Sequence, residues 1–295
     1  MAEMAWADVT STSPLKVVTR DGVERDAVAL TSDSLTVGAR VRCELPRRGP
    51  ALVHGRADGV RDTGWVTSRV GKVNRVVFTS GGTYLKPANL LYADIEVQAA
   101  GGQGGGRQSG ANQVAVAGGG GGGQYIRAIL AAASISSSTT VTVGAGGTGG
   151  AGTTGGNGGN SSFGTLIVAV GGRGGDTSSN QPGTTSVSAA AGNGGSGGTV
   201  PSGALNIPGS NGSPGRFNYN AGLGANSLNG SMAGAGGASF LGTSVNPYMG
   251  ASHAGFSGAG YGSGSTGGLG GPSLSASAAP DGQPGIVIIT EYLSS

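Results

Sequence analysis

The sequence predicts an all-β protein in two parts: a small N-terminal barrel of OB type, then a jelly-roll-like β-sandwich carrying long glycine-rich, partly polyproline-II-like loops. Three observations lead there. Short β-prone runs alternate with turn signals through the first 60 or so residues. A β-branched run closes the chain at residues 286–293, matching strand material near residue 76. Between them, glycine tracts separate strand-sized apolar runs. Residues 1–100 hold 24 of the 31 charged residues and only 9 of the 65 glycines, so the two parts must fold by different means. The expected division is a barrel at 1–58, a connector at 59–75 and a glycine-rich sandwich at 76–295.

In the first part, strands are expected at residues 6–10, 15–20, 23–30, 35–45 and 51–56. Asp21-Gly22 marks a hairpin, and Pro46 to Pro50 an exposed loop. Five short strands in so little chain suit a small closed barrel. Its arginines Arg40, Arg42, Arg47 and Arg48 are interspersed with acids and lack an aromatic platform, so they suggest a docking surface for a partner protein and not a nucleic-acid track. Cys43 is the single cysteine, which excludes an intrachain disulfide and a CxxC metal knuckle. Trp65, in the connector, is expected to pack where the halves or subunits meet.

The second part opens with strand material at 76–78, 84–87 and 91–98, and continues with strands at 124–130, 139–143, 162–170 and, more weakly, 238–245. Terminal strands of this kind are expected to share one sheet. The tracts between them, such as 118–123 and 144–160, read as ordered segments, because long disordered loops recurring between regularly spaced strands would be costly to close. Gly155-Gly156-Asn157-Gly158-Gly159-Asn160 and Gly171-Gly172-Arg173-Gly174-Gly175-Asp176 fit the three-residue turn of polyproline II, in which glycine lets backbones approach and bond laterally. No sustained Gly-X-Y register exists, which excludes collagen, and Asp176 and Asp281 are too few for calcium β-rolls.

Catalytic signals are thin. Gly194-Gly195-Ser196-Gly197-Gly198 matches the G-x-S-x-G pattern formally, but such matches are expected by chance in a Gly/Ser-rich segment and no amphipathic helix follows. The run at 118–123 leads into Gln124-Tyr125, not into a Walker lysine. Three acids after residue 100, Asp176, Asp281 and Glu291, are too few for a glycosidase pair in a cleft. No enzyme activity, cofactor or metal is expected. The N-terminus shows no basic segment leading into an apolar run, and no run approaches the ~18 residues of a membrane span, so cytoplasmic synthesis without membrane insertion is expected.

Four motifs in order carry a resemblance: Phe78-Thr79-Ser80-Gly81-Gly82-Thr83-Tyr84-Leu85-Lys86-Pro87 with Ala93-Asp94-Ile95-Glu96-Val97; Val141-Thr142-Val143-Gly144-Ala145-Gly146-Gly147; Gly158-Gly159-Asn160-Ser161-Ser162-Phe163-Gly164; and Pro284-Gly285-Ile286-Val287-Ile288-Ile289. Together they resemble the glycine-rich domain of tailed-bacteriophage tail proteins. Trp6 to Val17 and Val37 to Leu45 are similar to small barrels that begin minor tail proteins of phages infecting actinobacteria. The resemblance implies a virion component, a homotrimer near the tail tip, with the barrel docking to other tail proteins through Arg40, Arg42, Arg47 and Arg48. Its glycine-rich end would meet a host-surface glycan or protein. Phe217, Tyr219, Tyr248, Met249, His253, Phe256 and Tyr261 are the candidate contacts, since flat rings stack on sugars while neighbouring Asn and Ser bond hydroxyls. The alternatives are burial of these residues in a core or interface, and a purely structural tail component that caps or connects other subunits.

Overall fold

A computed structural model describes residues 3–19, 22–29, 40–45, 51–56, 70–220, 227–247 and 249–294. The chain divides into two compact units, Met1–Arg69 and Val70–Ser295. Of the connector expected at 59–75, residues 59–69, Trp65 among them, lie outside the described residues, and 70–75 belong to the strand Val70–Phe78.

Among its described residues the first unit has five strands: β1 (Glu3–Thr12), β2 (Leu15–Thr19), β3 (Glu24–Ala29), β4 (Arg40–Leu45) and β5 (Ala51–Arg56). They close in the order β1-β2-β3-β5-β4, antiparallel except for the parallel β3–β5 pair. Ala7, Val9, Val17, Val41 and Cys43 fill the interior. Of the turn expected at Asp21-Gly22, Asp21 lies outside the described residues; Gly22 stands at φ 80° with its N–H donating to the Thr19 carbonyl at 2.8 Å.

The second unit begins as a sandwich. One sheet runs Leu205–Ile207, Tyr125–Ala131, Leu90–Gln98, Ile286–Ser294, Val70–Phe78; the other runs Ile167–Ala169, Ser161–Phe163, Ser138–Thr142, Gly82–Leu85. The early and late strands do share a sheet: Val287 pairs with both Phe78 and Val97. Period-2 alternation sends Ala93, Ile95 and Val97, Ile126 and Ala128, and Val287 and Ile289 inward against Tyr84, Val141, Phe163 and Ile167 of the facing sheet. Each large side chain buried this way contributes roughly 1.5–3 kcal/mol. Glu291 also points inward, its carboxylate accepting from the Tyr84 hydroxyl (2.9 Å) and Asn74 Nδ2 (2.7 Å). The single strand expected at 162–170 is instead a hairpin, because Gly164 turns the chain at φ 54° and donates to the Thr140 carbonyl.

The glycine tracts are not loops but a bundle of extended rods built on backbone hydrogen bonds. In the rod at residues 117–124, donors spaced three apart serve one neighbour each. Gly118, Gly121 and Gln124 donate to Asp176, Arg173 and Val170; Ala117, Gly120 and Gly123 donate to Gly268, Ser265 and Gly262; Gly119 and Gly122 donate to Ser213 and Ser210. Its carbonyls accept from three further rods: Gly118 and Gly121 from Gly105 and Gly102, Gly119 and Gly122 from Gly192 and Gly195, Ala117 and Gly120 from Gly234 and Gly237. Three residues per turn with lateral bonding is polyproline-II geometry. The rod at 99–106 is surrounded in the same way, and the outer rods 144–147, 153–160, 170–176, 190–195, 209–213, 234–238, 262–268 and 279–285 bond each to the next in a closed ring.

This arrangement explains the composition. The inner rod at 118–123 has neighbours on every side and is all glycine: a Cβ on Gly120 would lie 2.2 Å from the Gly102 carbonyl oxygen. An outer rod has one free side per turn, and its third residue stands there. Asn157, Asn160, Arg173 and Asp176 are exposed while Gly171, Gly172 and Gly175 are buried. The asparagines also supply acceptors where no rod does, Asn160 Oδ1 to Gly171 N–H (3.0 Å), Asn157 Oδ1 to Gly174 N–H (3.0 Å) and Asn211 Oδ1 to Gly194 N–H (2.8 Å). The segment matching the nucleophile-elbow pattern joins the end of such a rod, and the described residues contain no α-helix.

Candidate functional site

Each end of the bundle is held by apolar packing. At the sandwich end, buried glutamines form the seam. Gln98 Nε2 donates to the Gly123 carbonyl (2.9 Å), and Gln124 Oε1 accepts from Val170 (3.0 Å) and Gly198 (3.2 Å). At the far end Val114, Val116, Ala189, Phe217, Ala233 and Leu269 form a second buried cluster, here called the cap.

The cap carries a ladder of outward-facing side chains. Strand Val187–Ala189 pairs with Gly215–Phe217, with Ser188 opposite Arg216; Arg216 in turn pairs with Met232, and Met232 with Met249. Directly paired residues share a face. Ser188 and Arg216 are exposed, Met232 is half-buried and Met249 is 65% exposed. Tyr219 follows, 36% exposed, its N–H donating to Ser186 Oγ at 2.9 Å. Ser186, Val187, Ser188, Pro214, Arg216, Phe217 and Asn218 line a shallow cavity of about 330 Å³ beside it. The face therefore combines one cation, two thioethers, a phenol and several hydroxyl and amide groups.

The expected contact residues divide. Tyr219 and Met249 stand on the cap surface. Phe217 does not: it is 1% exposed, its ring inside the cap cluster, because alternation on its strand turns it away from Arg216. It therefore offers no ring to an external ligand. His253 and Phe256 are half-buried with ring centroids 5.1 Å apart, and His253 pairs through its backbone with Leu269. Tyr261 is separated from the cap by the rod 262–268, on the order of 20 Å at ~3.1 Å per residue, and lies by the sandwich, where its N–H donates to the Leu241 carbonyl. A cavity of about 690 Å³ lined by residues 238–244, 259 and 260 lies there too, beside Phe240, whose ring meets Tyr125 at 4.2 Å. Tyr248, Arg47 and Arg48 lie outside the described residues; Arg40 and Arg42 are on strand β4, their side chains outside the description.

Sequence reasoning missed Arg216, Met232 and Ser188. An isolated arginine in a Gly/Ser-rich segment carries no periodicity, and only the ladder brings it beside Met232. It also missed Arg107, whose aliphatic stem packs over Gly268 and Gly270 and whose pKa burial pushes down. Among the described residues no three His, Cys, Asp or Glu side chains converge as metal ligands, and no helix is long and apolar enough to cross a membrane.

The sequence profile of a known family, described as a glycine-rich domain, matches residues 79–292. The chain belongs to that glycine-rich domain family. The match begins just after Phe78 and ends at Tyr292, so it takes in the rod bundle, the cap and the sandwich except its edge strand Val70–Phe78, and leaves the barrel outside. No curated protein matches the chain.

Proposed function

We propose that this glycine-rich domain protein is a tail-tip component of a bacteriophage virion that attaches to the host surface without catalysis. In this reading it assembles as a homotrimer, docks to other tail proteins through its N-terminal barrel, and meets a surface glycan or protein with its cap. The observation that carries the proposal is the ladder Ser188, Arg216, Met232, Met249 with Tyr219, exposed on a cap that a hydrogen-bonded rod bundle separates from the sandwich. A bundle with almost no side chains of its own is suited to holding such a surface rigidly away from a base. Rigid presentation lowers the ordering penalty of binding. The four sequence motifs shared in order with phage tail proteins support the virion setting.

The test is competition. Purified protein should block adsorption of the parent particle to its host, and a variant combining Arg216→Ala, Tyr219→Ala and Met249→Ala should lose that effect while keeping its melting temperature. Each anchor is expected to supply about 1–2 kcal/mol, so the loss should exceed tenfold. If the triple variant competes as well as the native protein, the cap is not the attachment surface.

A further inference from the structure

The outer face of the four-stranded sheet carries a groove that neither the cap nor the barrel accounts for. Its volume is about 450 Å³, within the range of small-molecule sites, roughly 300–1,000 Å³. Strand Ser138–Thr142 runs along it with Ser138, Thr140 and Thr142 exposed, Ser162 pairs opposite Thr142, and Ser134, Ser136 and Thr165 complete the polar walls with Leu166 as the apolar patch. No residue lining the groove is charged.

The walls of the groove are fixed: Lys86 Nζ donates to the carbonyls of Ala132 (3.0 Å) and Ile135 (2.7 Å), pinning the turn that carries Ser134 and Ser136, and the Gly164 N–H ties the opposite hairpin to Thr140. Thr139, which pairs with the buried Tyr84, alternates with these hydroxyls and turns its side chain to the sandwich interior, so Ser138, Thr140, Thr142 and Ser162 are the groups presented to a ligand.

We infer that this groove binds a neutral saccharide. Hydroxyls that both donate and accept, spaced two residues apart along a strand (~7 Å) and ~4.8 Å across strands, match a chain of sugar hydroxyls. An anion would enter without a countercharge, since no charged side chain lines the groove. An apolar ligand would strip the hydroxyls of water and return nothing. Leu166 offers the one apolar surface for a ring face. The inference extends the attachment reading to a second contact, but it holds for the purified protein whatever the particle.

The test is amide NMR titration of the full chain with neutral trisaccharides of glucose, galactose and mannose, with sialyllactose as the anionic control. At least one neutral trisaccharide should shift the amides of Thr140, Thr142 and Ser162 saturably, with sialyllactose at least tenfold weaker. The double variant Thr140→Val/Thr142→Val, isosteric at exposed positions, should weaken binding about tenfold, two hydrogen bonds at ~0.7 kcal/mol each. Ser162→Ala provides an independent reading should the double variant melt early. Saturable shifts confined to the cap, equal binding of sialyllactose, unchanged affinity in the variants, or no binding by any neutral trisaccharide would each overturn the assignment. Because adsorption is not measured, a failure here leaves the cap proposal standing, and a failed competition assay leaves the groove standing.

Discussion

Replacing Gly120 by alanine tests whether the inner rods are held by close backbone approach. The new methyl would lie 2.2 Å from the Gly102 carbonyl oxygen, where ordinary contact begins near 3.4 Å, so the rods 99–106 and 117–124 must part by more than 1 Å. Three hydrogen bonds join them, Ala99 to Gln124 (2.9 Å), Gly102 to Gly121 (2.8 Å) and Gly105 to Gly118 (3.0 Å). Opening them loses ~1 kcal/mol each, and more where a buried donor stays unpaired, for a total of about 3–6 kcal/mol. Alanine also restricts the unfolded chain, which returns ~0.4–1 kcal/mol. The net expectation, about 3–5 kcal/mol, is a large share of the ~5–15 kcal/mol by which domains are stable. Gly81→Ala is the control: its nearest neighbour would be the Val141 oxygen at 3.5 Å, so a change within ~0.5 kcal/mol is expected. Urea unfolding followed by circular dichroism gives both values. If Gly120→Ala unfolds at the same midpoint as Gly81→Ala, the tracts are not packed rods.

Other expectations follow from single contacts. Asn160→Val removes the acceptor for the Gly171 N–H and should destabilise by about 1–2 kcal/mol by the same unfolding assay, whereas Asn160→Asp, which keeps an acceptor, should lose less. Burial raises the pKa of Tyr84, with the neighbouring Glu291 carboxylate adding to it, and burial with Glu96 does the same for Tyr125. A raised folded-state pKa gives stability that is complete below the unfolded value and is lost as pH climbs toward the folded one. The melting temperature should therefore fall above pH ~10, and Tyr84→Phe should flatten that fall. Burial likewise pushes the Cys43 thiol up, so a disulfide-exchange reagent at pH 8 should modify it only as the barrel unfolds; fast modification of native protein would contradict its burial.

The scaffold was legible in the sequence wherever period-2 alternation exists. Residues 91–98 and 286–293 showed their strands and even their common sheet, because β-branched residues on one face must find an apolar partner. The glycine tracts disclosed their three-residue turn but not their rank. Residues 118–123 are an unbroken glycine run and 171–176 a Gly-Gly-X repeat, but what that difference means emerges only from the count of neighbouring rods, which tells an inner rod from an outer one. The role of Asn157 and Asn160 was hidden for the same reason, since an asparagine becomes an acceptor only once the adjoining N–H lacks a rod. Among the candidate contacts, Tyr219 and Met249 were singled out for being large in a small-residue region, and both stand exposed. The same criterion failed for Phe217, which is large because the cap needs a core, and it could not separate Tyr261, which belongs to the other end of the bundle.

The closed ring of rods also governs how the molecule can change length. A single inserted residue would rotate every donor beyond it by a third of a turn, pointing each amide at the wrong neighbour, so growth is admissible only in whole turns of three residues, ~9 Å. Because every rod is bonded to the ones beside it, a turn added to one alone would protrude unpartnered. The distance from base to tip is thus a quantised property of the assembly as a whole, while the segments that join rods at either end can be exchanged one at a time.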